Sequence, residues 1–237
     1  MKNRFACKNG ITLVEVMVAL AMGSVLMSAV YTVYVNQVRG QAIQEATLDL
    51  QQGVRAALTF MKQEIRTAGA DPTGKAGAGI IRAEANEFHF TRDVNDLANT
   101  GRHDGAVSAS NENIRYRVNQ SGALGRDTCR PQPGGNWTCS GLQSILNNVD
   151  VLAFAYFDEA GQQLDPADLQ TPEDTNRIRL VQVTLIAHYG LSGRGLLPRH
   201  RDTRLYRDPQ GEPLVAQPFD DHRRRLKMTT AIARRNT

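Results

Sequence analysis

What this chain most plainly lacks is a catalytic signature. His89, His103, His188, His200 and His222 fall into no His-Glu-x-x-His spacing, which excludes a zinc-protease helix. The run Gly74-Lys75-Ala76-Gly77-Ala78-Gly79 lacks the Gly-Lys-Ser/Thr ending of a phosphate loop and reads as a flexible helix-to-strand connection. Asp93-x-Asn95 begins like a calcium loop, but Leu97 follows and the required Gly and Glu are missing. Cysteine is scarce, and no second Cys or His pair stands at the spacing of zinc ligands. These gaps predict a protein that is not an enzyme and uses no metal or cofactor.

Acid is missing from the first fourteen residues, which carry Lys2, Arg4 and Lys8. Charge is nearly missing from the twenty-five residues Ile11 to Val35, where Glu15 is the only charged side chain. As a helix that run is ~37 Å long, enough for a hydrocarbon core of ~30 Å. Basic residues ahead of it hold that end in the cytoplasm and send the rest outward. A carboxylate inside such a span costs on the order of 2.5–3.5 kcal/mol, so a partner or a task is expected for it.

The junction Gly10-Ile11-Thr12-Leu13-Val14-Glu15, behind a basic leader, resembles the type III signal of type IV prepilins and type II secretion pseudopilins. The family's usual phenylalanine after the glycine is replaced here by Ile11. The resemblance implies cleavage by prepilin peptidase between Gly10 and Ile11, N-methylation of Ile11, and an assembly role for Glu15. In the family that glutamate pairs with the N-terminal amine of a neighbouring subunit. Loss of the leader removes three cations and leaves a net charge of about +1 from the +4 of the whole chain, so basicity is weak evidence for nucleic-acid binding.

Past the span, Ile43, Ala46, Leu50, Val54, Ala57, Leu58, Met61 and Ile65 recur at steps of three and four, one apolar stripe of an amphipathic helix. Gly69 and Asp71-Pro72 mark its stop. One helix from Ile11 to Ala68 would be ~87 Å long. Beyond it, Gly79–Ala83 and Asn86–Arg92 read as a hairpin, with Phe88 and Phe90 alternating against polar neighbours. Asn113–Asn119, Val149–Asp158, Arg177–His188 and Leu226–Ala233 read as further strands. Arg92–Asn111 and Gly190–Gln217 read as long loops.

The order of elements indicates an α+β, pilin-like fold: a long N-terminal transmembrane and amphipathic helix packed on an antiparallel β-sheet head. The expected divisions are 1–10, a cleaved leader; 11–35, the membrane half of the helix; 36–69, its amphipathic half; and 70–237, the head. Asp49–Leu58, Lys62–Gly69, Arg177–Ala187 and the ending Arg234-Arg235-Asn236 are similar to PilW-type minor pilins and the related GspJ-type minor pseudopilins.

Cys7 lies in the leader, which leaves Cys129 and Cys139 as an even pair in the exported part. Outside the cytoplasm they are expected to form a disulfide worth ~3 kcal/mol, with two free thiols as the alternative. Between them lie Pro131, Pro133, Gly134, Gly135 and the single Trp, Trp137, a candidate contact or a side chain folded back on its own domain. Ala19, Gly23, Ser24 and Ser28 could let helices approach closely in lipid. Arg194, Arg199, Arg201, Arg204, Arg207, Arg223, Arg224, Arg225 and Lys227 gather late, interleaved with Asp202, Asp208, Asp220 and Asp221. That interleaving indicates that part of this charge is mutual pairing on a solvated face, and thin aromatic interleaving, Tyr206 and Phe219, argues against a DNA surface.

The resemblance implies a minor pilin that primes or caps type IV pilus assembly. Its implied partners are prepilin peptidase, other minor and major pilins and the inner membrane; it would span that membrane once, head in the periplasm, before reaching the pilus. The alternatives are a GspJ-like pseudopilin of a type II secretion system, a single-pass anchored sensor or binding protein, and a DNA-uptake receptor.

Overall fold

The computed structural model describes residues 10–94, 100–109, 111–132, 137–189 and 201–235. The chain divides into two compact units between Ala46 and Thr47, and helix α1, Leu13–Ile65, supplies residues to both.

The first unit is helical from Leu13 onward. Thr12 caps it: the Thr12 hydroxyl accepts from the Glu15 amide at 3.3 Å and the Thr12 carbonyl accepts from the Val16 amide at 3.2 Å. The helix holds a window of mean hydropathy 2.1 with no residue buried. By length and composition it can cross a membrane; a helix apolar on all faces needs lipid or other helices around it.

In the second unit α1 turns amphipathic. Leu50, Val54, Ala57, Leu58, Met61 and Ile65 of the expected stripe are buried. Burial of each large apolar side chain contributes roughly 1.5–3 kcal/mol. The helix ends two or three residues inside the expected limits. Gly69 sits at φ +78, its amide donates to the Thr91 carbonyl at 2.8 Å, and a Cβ there would strike the Arg234 guanidinium. Arg234 in turn donates to the carbonyls of Ala68 and Ile178, so the last turn of α1 and the end of the chain are tied together.

Two antiparallel sheets follow where one was expected. The first is a five-stranded meander in chain order: β1 Ile80–Ala83, β2 Phe88–Thr91, β3 Asn113–Val118, β4 Leu124–Pro131 and β5 Trp137–Leu146. The second comprises β6 Val149–Phe157, β7 Gln163–Leu164, β8 Leu180–His188 and β9 Arg225–Ala233 in the order β7-β6-β8-β9. A 3₁₀ turn, Pro166–Asp168, and a short helix, α2 Pro172–Asn176, lead into β8. The helix opens with a capping box between Thr171 and Asp174.

Two corrections to the sequence reading have physical causes. The sequence reading assigned no strand between Asn119 and Val149, yet β4 and β5 pair there antiparallel. These strands show no apolar alternation because Arg126 and Asp127 are buried through ion pairs instead. In β2 the polar residues are buried as well: His89 meets Asn113 at 2.6 Å, and the Gly79 amide donates to the Thr91 hydroxyl at 2.9 Å. Phe88 bridges the two sheets, its ring 5.6 Å from Phe154 and 5.8 Å from Tyr156, while Phe90 lies 6.5 Å from Tyr116. The described parts of 92–111 and 190–217 contain neither helix nor strand, only isolated bridges at Asp202 and Asp221 and at Arg207 and Pro213.

Candidate functional site

The N-terminal segment brings three of the expected functional residues within two turns of chain. Gly10 and Ile11 precede the first helical residue, and both are exposed. Among the described residues nothing lies within 4 Å of a Cβ built on Gly10, so none of them requires glycine there. Glu15 falls in the first turn of α1, where the aligned peptide dipoles favour a negative group. Among the described residues its carboxylate has no side-chain partner. The leader cations Lys2, Arg4 and Lys8, with Cys7, lie outside the described residues.

Further along the span the hydroxyl groups are satisfied locally. Ser24 donates to the Ala21 carbonyl, Ser28 to Val25 and Thr32 to Ser28, each at 2.8 Å. None therefore carries an orphan donor into lipid. Gly23 has nothing within 4 Å of a built Cβ, which leaves room for a second helix to approach.

The head holds two polar hubs that sequence reading did not single out. Glu64, on the buried face of α1, accepts from Arg126 Nε at 2.9 Å, from Arg92 at 3.1 Å and from the Tyr116 hydroxyl. The carboxylate thus joins the helix to β3, to β4 and to the residue that follows β2. Burial pushes the Tyr116 phenol well above its ordinary range, and the adjacent Glu64 charge adds to the effect. Burial lowers the Arg92 guanidinium against the pull of Glu64. The signal available in the sequence was spacing: Glu64 continues the Ala57–Met61 stripe at the next step of three.

The second hub is Arg225, whose side chain is 1 % exposed. It pairs with Asp150 at 2.8 Å, Asp202 at 3.1 Å and Asp221 at 2.6 Å, and its guanidinium lies 3.7 Å above the Phe219 ring. Burial alone would depress it; the three carboxylates hold it above its ordinary value. Asp221 is drawn down to about 2, chiefly by its hydrogen bond from Arg225.

The remaining candidates separate. Cys129 and Cys139 are bonded across the β4–β5 register with their Cα atoms 3.9 Å apart; Pro133, Gly134, Gly135 and the Trp137 side chain lie outside the described residues. Of the late basic residues, Arg194 and Arg199 lie outside them too. Arg201 pairs with Asp220, Arg223 with Asp221, and Arg207 and Lys227 donate to the carbonyls of Gly211 and Arg207. Carboxylates thus engage Arg201, Arg223 and Arg225, while the Arg204 and Arg224 side chains have no carboxylate partner among the described residues. The Gly74–Gly77 turn is held by its own acid: Asp71 accepts from Thr73 and from the amides of Lys75 and Gly77. Among the described residues no three His, Cys, Asp or Glu side chains converge as a metal site would require.

Comparison with known proteins agrees with the N-terminal geometry. Residues 6–31 match the prokaryotic N-terminal methylation motif. A type IV-like pilin from Thermus thermophilus superposes with a TM-score of 0.51 at 16% identity, covering 78% of this chain and 96% of that one. The fold is type IV pilin-like. No curated protein matches the chain. The motif implies processing by prepilin peptidase and a hydrophobic helix anchored in the membrane before assembly.

Proposed function

We propose that the chain is a minor pilin of the PilW type, cut between Gly10 and Ile11, methylated on Ile11, and then incorporated into a minor-pilin complex that primes or caps a type IV pilus. One observation carries this reading. Glu15 is the only charge in a span of lipid length, it has no side-chain partner among the described residues, and it stands one turn from the exposed Gly10–Ile11 bond. Cleavage of that bond creates a cation, the Ile11 amine. A carboxylate and an ammonium that are each costly in lipid are far less so when paired. Pairing between neighbouring subunits would draw each new subunit to a fixed axial step, because the amine of one helix must meet the Glu15 of another. The glycine fits the same account: no contact among the described residues needs it, and an exposed Gly–Ile bond ahead of a capped helix is what a peptidase site can accept.

The head then sits in the periplasm as the part that sets position among other pilins, and the inner membrane is the starting compartment. Glu15→Val tests the pairing step. It should leave membrane insertion unchanged, since it removes a penalty on the order of 3 kcal/mol, and should reduce recovery of the protein with sheared filaments. Undiminished recovery of Glu15→Val in the filament fraction would remove the basis of the proposal.

A further inference from the structure

A cleft of about 480 Å³ runs along β6 in the head. Its floor is the outward row of that strand, Ala153 and Ala155, with Thr184 and Gln182 beside them on β8. Pro166, Pro213 and Leu214 stand around it. The polar groups of the floor are committed: the Thr184 and Thr229 hydroxyls meet at 2.9 Å, and Gln182 donates to Gln210 at 3.0 Å. The lining holds no lysine or arginine. Of its two acids, Asp150 pairs with Arg225 and Asp208 accepts from the Glu212 amide at 2.7 Å. The trough is therefore shaped for an uncharged occupant.

What remains open is the backbone of β6 itself. In an antiparallel sheet, successive residues turn their N–H and C=O groups alternately toward one neighbour and the other. The Phe154 amide donates to the Ala85 carbonyl at 2.8 Å, so Phe154 points away from β8. Tyr156, two residues on, faces Leu164 of β7 on that same side. Leu152 therefore presents both its amide and its carbonyl to this edge, and no group among the described residues bonds to either. Leu152 and Phe154 line the cleft although their side chains are buried, the Phe154 ring against Phe88, so they meet it along the strand edge. Native interiors pair nearly all such backbone groups. The open stretch is bounded: the Val149 amide donates to Gly122 at 2.8 Å on one side, and Phe154 to Ala85 on the other. As a strand that interval spans ~17 Å, room for about three paired residues. An amide and a carbonyl of one residue, aimed the same way, are what a single residue of an antiparallel strand satisfies with two bonds.

We propose that this cleft binds a short, uncharged, extended peptide segment of a partner protein, one residue of which exchanges both backbone hydrogen bonds with Leu152 while the side chain next to it rests beside Ala153. The probe is the blocked peptide acetyl-alanyl-valyl-alanine amide. It is titrated into isotope-labelled full-length protein in detergent and read by NMR at the Leu152 amide. Saturable displacement of that resonance and slower exchange of its hydrogen are expected. The same peptide N-methylated at valine keeps its apolar character and loses the donor, and should bind about tenfold more weakly. Ala153→Leu should fill the trough and abolish saturation, with the melting temperature of the unliganded protein as the check on folding. Ala155→Leu serves as the second variant if the first does not fold. Absence of saturable displacement overturns the proposal, and so does equal binding of the N-methylated peptide or undiminished binding to a folded trough variant. Displacement of Leu152 on raising the protein concentration alone would assign the cleft to a second copy of the chain, and saturation by maltotriose in place of the peptide would assign it to a carbohydrate; either result overturns the proposal too.

Discussion

Replacing Glu64 by alanine should be among the most damaging single changes to the head. The carboxylate is buried, with side-chain exposures of 11% for Glu64, 10% for Arg126 and 12% for Arg92, so solvent screens the cluster little. Its removal strands two guanidiniums and the Tyr116 hydroxyl in the interior. Breaking a buried ion pair by deleting one member costs about 3–5 kcal/mol, more than the pair itself contributes over an apolar replacement. For a chain of this size that corresponds to a fall in melting temperature on the order of 10 °C. The assay is thermal unfolding of the full-length protein in detergent, followed by circular dichroism in the β-sheet band, with Glu15→Val as a control for the head. The triple change Glu64→Leu, Arg92→Met, Arg126→Met should recover much of the loss, because no uncompensated charge remains. A loss under about 1 kcal/mol for Glu64→Ala, or a triple variant worse than the single one, would refute the account of this hub.

Two further outcomes follow from the head. Burial holds His89 down to about 4 against an ordinary 6.5. The unfolded chain therefore takes up the proton first. Stability that is complete above about pH 6.5 should be lost progressively as pH falls toward 4, by about 3 kcal/mol at most. Urea unfolding at a series of pH values checks this, and His89→Gln should flatten the slope in that window; an unchanged slope would contradict it. Cys129→Ser should lower stability by about 3 kcal/mol, and reductant should destabilise the parent but not the variant in the same titration.

Much of the architecture was legible because periodicity reports burial. The stripe from Leu50 to Ile65 repeats at helical steps and is the face that packs, and Gly69 ends the helix through the positive φ that glycine tolerates. Strands β6 and β8 were legible for the same reason, with buried apolar rows such as Val181, Val183 and Leu185, and β9 by the alternation that ends in the buried Ile232. The β4–β5 hairpin was not. Arg126 and Asp127 are buried by pairing with Glu64, Arg115 and Arg117, which come from elsewhere in the chain, and no local pattern announces a partner that only folding supplies. Arg225 shows the same limit: it reads as one of a basic cluster, yet its side chain is enclosed because Asp150, on a distant strand, pairs with it. By contrast, the roles proposed for Gly10, Ile11 and Glu15 come from the N-terminal motif alone. Their roles depend on local order, charge and span length rather than on tertiary contacts.

The measurement closest to the central claim is the mass of the mature N-terminus. Protein expressed in a cell with an active prepilin peptidase is purified from membranes, and its N-terminal peptide is sequenced by mass spectrometry. The account predicts a chain that begins at Ile11 and bears one methyl group on its amine. An intact leader still carrying Lys2, Arg4 and Lys8 would contradict it, because Glu15 would then have no new cation to meet.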